Sequence, residues 1–216
     1  LQKIRKVCDK KNIILIFDEC TSGFRETNGG IHKKYDVIPD IAMFGKAIGN
    51  GHAITAVIGK KSVMENAKSS FISSTFWTER IGPVAALKTL EVMEKLKSWE
   101  IISKTGQLMK DGWRKIAANN KVPIQISGID AICSFTITHK DFLGFKTYMT
   151  QEMLKRGFLA STLFYPSTCH DEKSINEYFE NLDEIFKVIG KIINEESNIV
   201  DFLNGPASGS TFKRLN

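Results

Sequence analysis

The 216-residue sequence predicts an α/β domain with a mostly parallel sheet, followed by a smaller α+β unit. Three observations carry this. The apolar runs at 13–17 and 41–45 are continuous and of strand length, which suits parallel strands buried on both faces. They stand among helical patterns, the arrangement that gives layered α/β folds. Near Ser98-Trp99-Glu100 the pattern changes, which divides the chain into residues 1–97 and 98–216.

The elements follow in order. Residues 2–10 carry a helical pattern that Asn12 breaks. Ile13-Ile14-Leu15-Ile16-Phe17 is the first strand and ends abruptly in Asp18-Glu19. Residues 21–40 read as a loop, with Gly23, the Gly29-Gly30 pair and Pro39. The second strand covers 41–45, and Ala53 to Ile58 is a third, closed by Gly59. A short helix is expected over 61–68, then the Ser/Thr-rich connection "SSFISSTFWT". A long amphipathic helix runs from about Glu79 to Lys97, with Pro83 in its first turns, where proline is tolerated. A second helix covers 99–119, weakened by Gly106 and Gly112. Strands are expected at 122–127, 130–138 and 157–163, with a helix at 141–155 between the last two. His170-Asp171-Glu172 announces a final helix over 172–195. The tail "LNGPASGSTFKRLN" is polar and reads as an extended surface strap.

Composition excludes several classes. The chain is 42% hydrophobic and 25% charged, an ordinary globular balance. Its net charge of +6 comes from lysines interleaved with acidic residues, which makes a solvated mixed surface. No basic block alternates with aromatics, so nucleic acid is not an expected partner. No apolar run approaches a membrane span. Cys8, Cys20, Cys133 and Cys169 form no CxxC pair, and no histidines stand at metal-ligand spacing. Cys133 lies in an apolar run and reads as a core thiol, and a reducing cytoplasm is the natural compartment. The sequence starts at Leu1, at what reads as the end of a helix leading into a core strand, as though opening inside a domain.

Two residues concentrate the chemistry. Lys46 follows a buried-type strand and is crowded by Gly45, Gly49 and Gly51. A lysine leaving a core strand is either desolvated, which makes its amine a nucleophile, or snorkels out of a tight turn. Asp18 closes the first strand, where a carboxylate is either a cap or loop anchor or a site residue. Ligands of an open parallel sheet bind beyond the carboxyl ends of its strands, so two neighbouring strands would bring Asp18 and Lys46 to one crevice. A lysine and a carboxylate in one crevice are what pyridoxal phosphate needs: an amine for its aldehyde and an anion for its pyridinium nitrogen. "GKAIGNG" lacks the glycine arrangement of a P-loop, which argues against a nucleotide site.

The stretches "NIILIFDECTSGFR", "YDVIPDIAMFGKAIGNGHAITAVIGKKSVM" and "SSTFWTERIGPVAAL", in that order, resemble class III pyridoxal-phosphate aminotransferases, in the branch that contains glutamate-1-semialdehyde 2,1-aminomutase. "GFLASTLFYPSTCHDEKSI" and "GPASGSTFKRLN" continue the likeness more loosely. The resemblance implies a fold-type I transferase, pyridoxal 5'-phosphate as cofactor, a small amino/keto or amino-aldehyde substrate, and a homodimer with a shared site. It matches Lys46 to the Schiff-base lysine and Asp18 to the partner of the ring nitrogen. Cys20 stands where the family has a valine packed under the ring, so packing and not chemistry is expected of it. Thr78 matches the threonine that reaches the cofactor phosphate from the neighbouring subunit, with Thr75 as its rival and a helix N-cap as its structural reading. Glu19, Arg25, Arg80 and His170 line or brace the site, or are structural.

Two departures shape the expectation. "TFWTERIGP" differs from the Gly-Asn-Pro pattern of the aminomutase, which favours a relative acting on another substrate. The family's phosphate-binding turn and the ring stacked on the cofactor come from an N-terminal half, so the chain matches a C-terminal half. It is therefore either part of an amino-group transferase or a non-catalytic, dimerising piece of one.

Overall fold

A computed structural model of the chain describes residues 1–77 and 79–209. These fall into two compact units, Leu1–Ser103 and Lys104–Asn216. The first opens with helix α1 (Gln2–Lys11), which Asn12 ends in the left-handed conformation. Strands β1 (Ile16–Asp18), β2 (Ile41–Phe44) and β3 (Ala56–Gly59) form one sheet in that order. β1 and β2 are parallel, with Ile16 opposite Ile41 and Asp18 opposite Met43.

Two strand expectations need correction. β3 runs antiparallel to β2, with Phe44 opposite Ala56 and Ile41 opposite Gly59. The connection between them holds only the 3-10 turn Lys46–Ile48, and without a crossover the chain must return antiparallel. β1 is also shorter than its apolar run. Leu15 is buried, but Ile13, Ile14 and Ile16 are exposed. β1 pairs with β2 alone, so it is an edge strand in this sheet. Beside it, Leu15, Cys8 of α1 and Val37 form a small buried cluster against which Phe17 packs.

The amino end of the β1–β2 pair is held by one carboxylate. Asp40 Oδ2 accepts from Leu15 N–H at 2.8 Å and from Arg5 of α1 at 2.8 Å. Its other oxygen pairs with Lys60 Nζ at 2.7 Å, just past β3. The Leu15 N–H, and after it Lys60 and Arg5, hold the Asp40 carboxyl well below the usual carboxylate range.

Helix α2 (Lys61–Met64) passes into a 3-10 turn, Glu65–Ser69, where one short helix was expected. Helices α3 (Ile81–Leu96) and α4 (Ser98–Asn119) meet at Lys97, whose left-handed φ of 48° breaks the run. The division between the units falls inside α4.

The second unit pairs β4 (Ile124–Ser127), β5 (Cys133–Ile137) and β6 (Leu163–Phe164) antiparallel, in that order. Helices α5 (Phe142–Lys155) and α6 (Glu172–Asn194) complete it. β6 is much shorter than the strand expected over 157–163, because the stretch opens on Gly157 at φ +84° and pairs only at its end. Alternation along β5 buries Cys133, Phe135 and Ile137. The helical spacing of α6 buries Ile175, Tyr178, Leu182, Ile185, Phe186 and Ile189. Asp171 caps α6 by accepting from Ser174 N–H at 2.8 Å, as its sequence announces. Trp113 lies at the centre, 4.9 Å from the Phe135 ring, and donates its Nε1–H to Tyr178 Oη at 2.9 Å. Gly106 lets Asp130 approach α4, since a Cβ there would stand 1.8 Å from its carbonyl oxygen. The glycine that weakens the helical pattern is thus a packing requirement.

Asp40 makes the first unit's stability depend on pH. Its folded value is depressed, so its contribution is complete above the unfolded value near pH 4 and is lost as pH falls below that. Asp40→Asn should lower the unfolding free energy at pH 7 by about 1.5–3 kcal/mol. The gap from wild type should narrow steadily below about pH 4 in urea titrations. A gap that stays constant down to pH 2 would show that the carboxylate's charge is not what holds the strand ends.

Candidate active site

The parallel register brings the two chemical candidates to the same end of one strand pair. Asp18 is the last residue of β1. Lys46 lies two residues beyond β2. Both side chains reach solvent, and of the two readings of Lys46 the exposed position is that of a side chain snorkelling out of its turn. Lys46 has φ 48°, a left-handed conformation uncommon outside glycine. Its Nζ donates to Thr21 Oγ1 at 2.5 Å.

Asp18 anchors its own loop. Its Oδ1 accepts the Cys20 N–H at 3.0 Å. That N–H, the Cys20 thiol and the charge of Lys46 together hold the Asp18 carboxyl below its ordinary value. The neighbouring Asp18 carboxylate, with burial, pushes the Cys20 thiol up.

Behind this turn sits Glu19, 2% exposed. Its carboxylate accepts the Ile31 N–H at 2.5 Å and the His32 N–H at 3.1 Å, and it pairs with His32 Nδ1 at 2.6 Å. Ser22 Oγ donates to it at 3.2 Å. The Glu19 N–H continues the ladder by donating to Met43 O at 2.8 Å. One buried carboxylate thus ties the far end of the loop to the carboxyl end of β1. Arg25 Nε donates to Thr21 O at 2.6 Å, so Arg25 braces the loop from within.

The remaining candidates lie elsewhere. Arg80 stands at the start of α3. His170 belongs to the second unit, where its Nδ1 accepts the Ser167 N–H at 3.0 Å and its ring lies 4.7 Å from that of Phe164. Thr75 is exposed, and Thr78 lies outside the described residues. Thr21 was missed by the sequence reading. Its signal was available in the register: Asp18 stands opposite Met43, and Thr21 and Lys46 each lie three residues further on. Among the described residues no group of three or more His, Cys, Asp or Glu is placed to hold a metal. No described helix is long and apolar enough to cross a membrane.

The family model "Aminotransferase class-III" matches residues 1–186. The chain belongs to the class III aminotransferase family. It is 37% identical over 129 residues to the 3-aminobutyryl-CoA aminotransferase of Cloacimonas acidaminovorans (strain Evry), covering 59% of this chain and 31% of that protein. It is 28% identical over 203 residues to the glutamate-1-semialdehyde 2,1-aminomutase of Sulfurihydrogenibium sp. (strain YO3AOP1), covering 86% of this chain and 47% of that one. The chain thus spans half or less of the length of these curated relatives. Among solved structures it is similar to the FumI protein of Sphingopyxis sp. MTA144 in its PLP internal aldimine form, with TM-score 0.83 and 19% identity. That match covers 94% of this chain and 49% of the other. An omega-transaminase from Sphaerobacter thermophilus gives TM-score 0.76 at 20% identity, over 86% of this chain and 47% of its own. The fold is the one these transaminases share.

The geometry around Asp18 makes a direct prediction. Followed by carbon NMR, the Asp18 carboxyl should titrate below the ordinary 3.8. Cys20→Val should move that midpoint up but leave it below the ordinary value, because the backbone N–H remains. An unmoved midpoint would mean that the thiol contributes nothing.

Proposed function

We propose that this chain is part of a pyridoxal-phosphate-dependent amino-group transferase, a transaminase or aminomutase acting on a small amino/keto or amino-aldehyde substrate. The observation that carries this is Asp18 and Lys46 at the carboxyl ends of two paired parallel strands. The donor set fits the cofactor: an exposed primary amine, and an exposed carboxylate kept ionised by a backbone N–H. A Cβ on Gly45 would meet Thr55 at 3.5 Å and Cys20 Sγ at 3.6 Å, ordinary contacts, so packing does not demand a glycine beside Lys46.

Lys46 would hold the cofactor through its amine, Asp18 would pair with the protonated ring nitrogen, and Cys20 would steady Asp18. Thr78, or Thr75, would serve the phosphate from a neighbouring subunit. The bound cofactor supplies an electron sink for a substrate carbon that loses a proton. Lys46, released by the incoming substrate amine, would take that proton from the amine-bearing carbon and return it, as base and then acid. Asp18 stays an anion at neutral pH, so it can face a cationic ring throughout.

The working form is a homodimer, with residues 1–97 belonging to the cofactor-binding domain and 98–216 forming the C-terminal α+β domain. Phe71, Ile72, Phe76, Trp77, Ile81, Val84 and Leu87 are all exposed along 71–87, a run of apolar surface that favours a covering partner. Four free cysteines favour a reducing, cytoplasmic setting.

Two measurements check this reading. Borohydride reduction of the intact protein with pyridoxal phosphate should fix the cofactor to the peptide carrying Lys46, and Lys46→Ala should lower turnover by about 100-fold or more. Label on another lysine would refute the assignment. Leu87→Asp should shift the sedimenting species from dimer toward monomer, and an unchanged dimer would move the interface away from α3.

A further inference from the structure

Lys46 carries a flexible four-carbon stem and reaches solvent, so its amine would ordinarily sample many rotamers. Here the tip is tied, with Nζ 2.5 Å from Thr21 Oγ1. The geometry points to Thr21 as a positioning residue, whose hydroxyl holds the Lys46 amine at the Asp18 turn. The role rests on the reading of Lys46 as the cofactor lysine.

The frame around Thr21 is rigid enough for this. Its β-branched side chain is stiff about χ1. Its carbonyl accepts from Arg25 Nε at 2.6 Å. On one side, Cys20 is pinned to Asp18, and on the other Ser22 Oγ donates to the buried Glu19. The hydroxyl is thus presented from a loop fixed at both flanks. Lys46 meets it from a left-handed backbone position, so the contact joins two constrained segments.

The chemistry of the partner also matters. A carboxylate in this place would pair with the ammonium and oppose its loss of a proton. A threonine hydroxyl is both donor and acceptor. It accepts from the ammonium, and it can donate to the neutral amine without moving far. A lysine that must carry and release a proton can therefore keep its place in both states. The negative charge nearby is Asp18, which is close enough to feel the charge of Lys46 and is itself occupied by the Cys20 N–H.

The test reads the amine itself. Intact protein stripped of cofactor is labelled with trace acetic anhydride, and each lysine's rate is read by peptide mass spectrometry, with exposed Lys173 as internal reference. Thr21→Val, which keeps the shape and removes the hydroxyl, should speed labelling of Lys46 by about 3- to 10-fold, the worth of one ordinary hydrogen bond. Thr21→Ser should restore the wild-type rate, and Lys173 should not change in either. Added pyridoxal phosphate, trapped by borohydride, should be captured at Lys46 more slowly in Thr21→Val and normally in Thr21→Ser. Equal labelling of Lys46 in wild type and Thr21→Val, with Lys173 unchanged, would overturn the proposal. Labelling that responds to Thr21→Val while the cofactor is fixed to a different lysine would support the contact and overturn the reading of Lys46.

Discussion

The parallel pairing of β1 with β2 is the constraint on which the site depends. A parallel pair brings like ends together, so whatever follows each strand emerges side by side. Here those followers are Asp18, Cys20 and Thr21 from one strand and Lys46 from the other. The pair has only three residues in register, too few for the ladder alone to fix it. Carboxylates do the rest. Asp40 gathers Leu15, Arg5 and Lys60 at the amino end. Glu19 gathers Ile31 and His32 at the carboxyl end. One clamp sets where the strands begin and the other sets where the loop after β1 must lie.

This placement changes how the lysine is to be understood. A lysine leaving a core strand is either desolvated or snorkels out of its turn. Lys46 is exposed and held at its tip by a neutral hydroxyl. Asp18 is likewise exposed, and its anion is stabilised by a backbone N–H rather than by burial. Position comes from hydrogen bonds on a fixed frame, which leaves both groups open to a ligand. Cys20 takes part in that frame through its backbone N–H.

The parts of the fold legible in the sequence were those fixed by local chemistry. Helix α6 announces itself through the Asp171 cap and a long apolar stripe, and both stand in the structure. Asn12 ends α1 where a left-handed residue was wanted. The direction of β3 was not legible, because apolar content says nothing about direction, and the deciding feature was the missing crossover after Lys46. The extent of β1 was not legible either. Its apolar run has the composition of a central strand, but a strand pairs only where a neighbour lies alongside. At the site, the strand-end positions of Asp18 and Lys46 could be read because strand ends are local features. Thr21 could not, because a threonine in a loop has no local mark. Its meaning arises only once the register sets it beside Lys46.

The two units are stabilised by different physics, and this bears on how the site responds to its surroundings. The second unit has a continuous apolar core around Trp113, Phe135 and Phe186, whose strength is area removed from water and is nearly indifferent to pH or salt. The first unit's buried cluster is small, Cys8, Leu15 and Val37, and much of its organisation is charged. Asp40 with Arg5 and Lys60 holds the amino end of the β1–β2 pair, and Glu19 with His32 and Glu26 with Lys34 hold the loop between the two strands. Interactions of that kind have direction, which an apolar core lacks, and direction is what a site needs to aim an amine and a carboxylate. They also respond to protonation and ionic strength where they reach solvent. A fall in pH below about 4 should therefore loosen the amino end of the β1–β2 pair, where Asp40 becomes protonated, before it touches the Trp113 core.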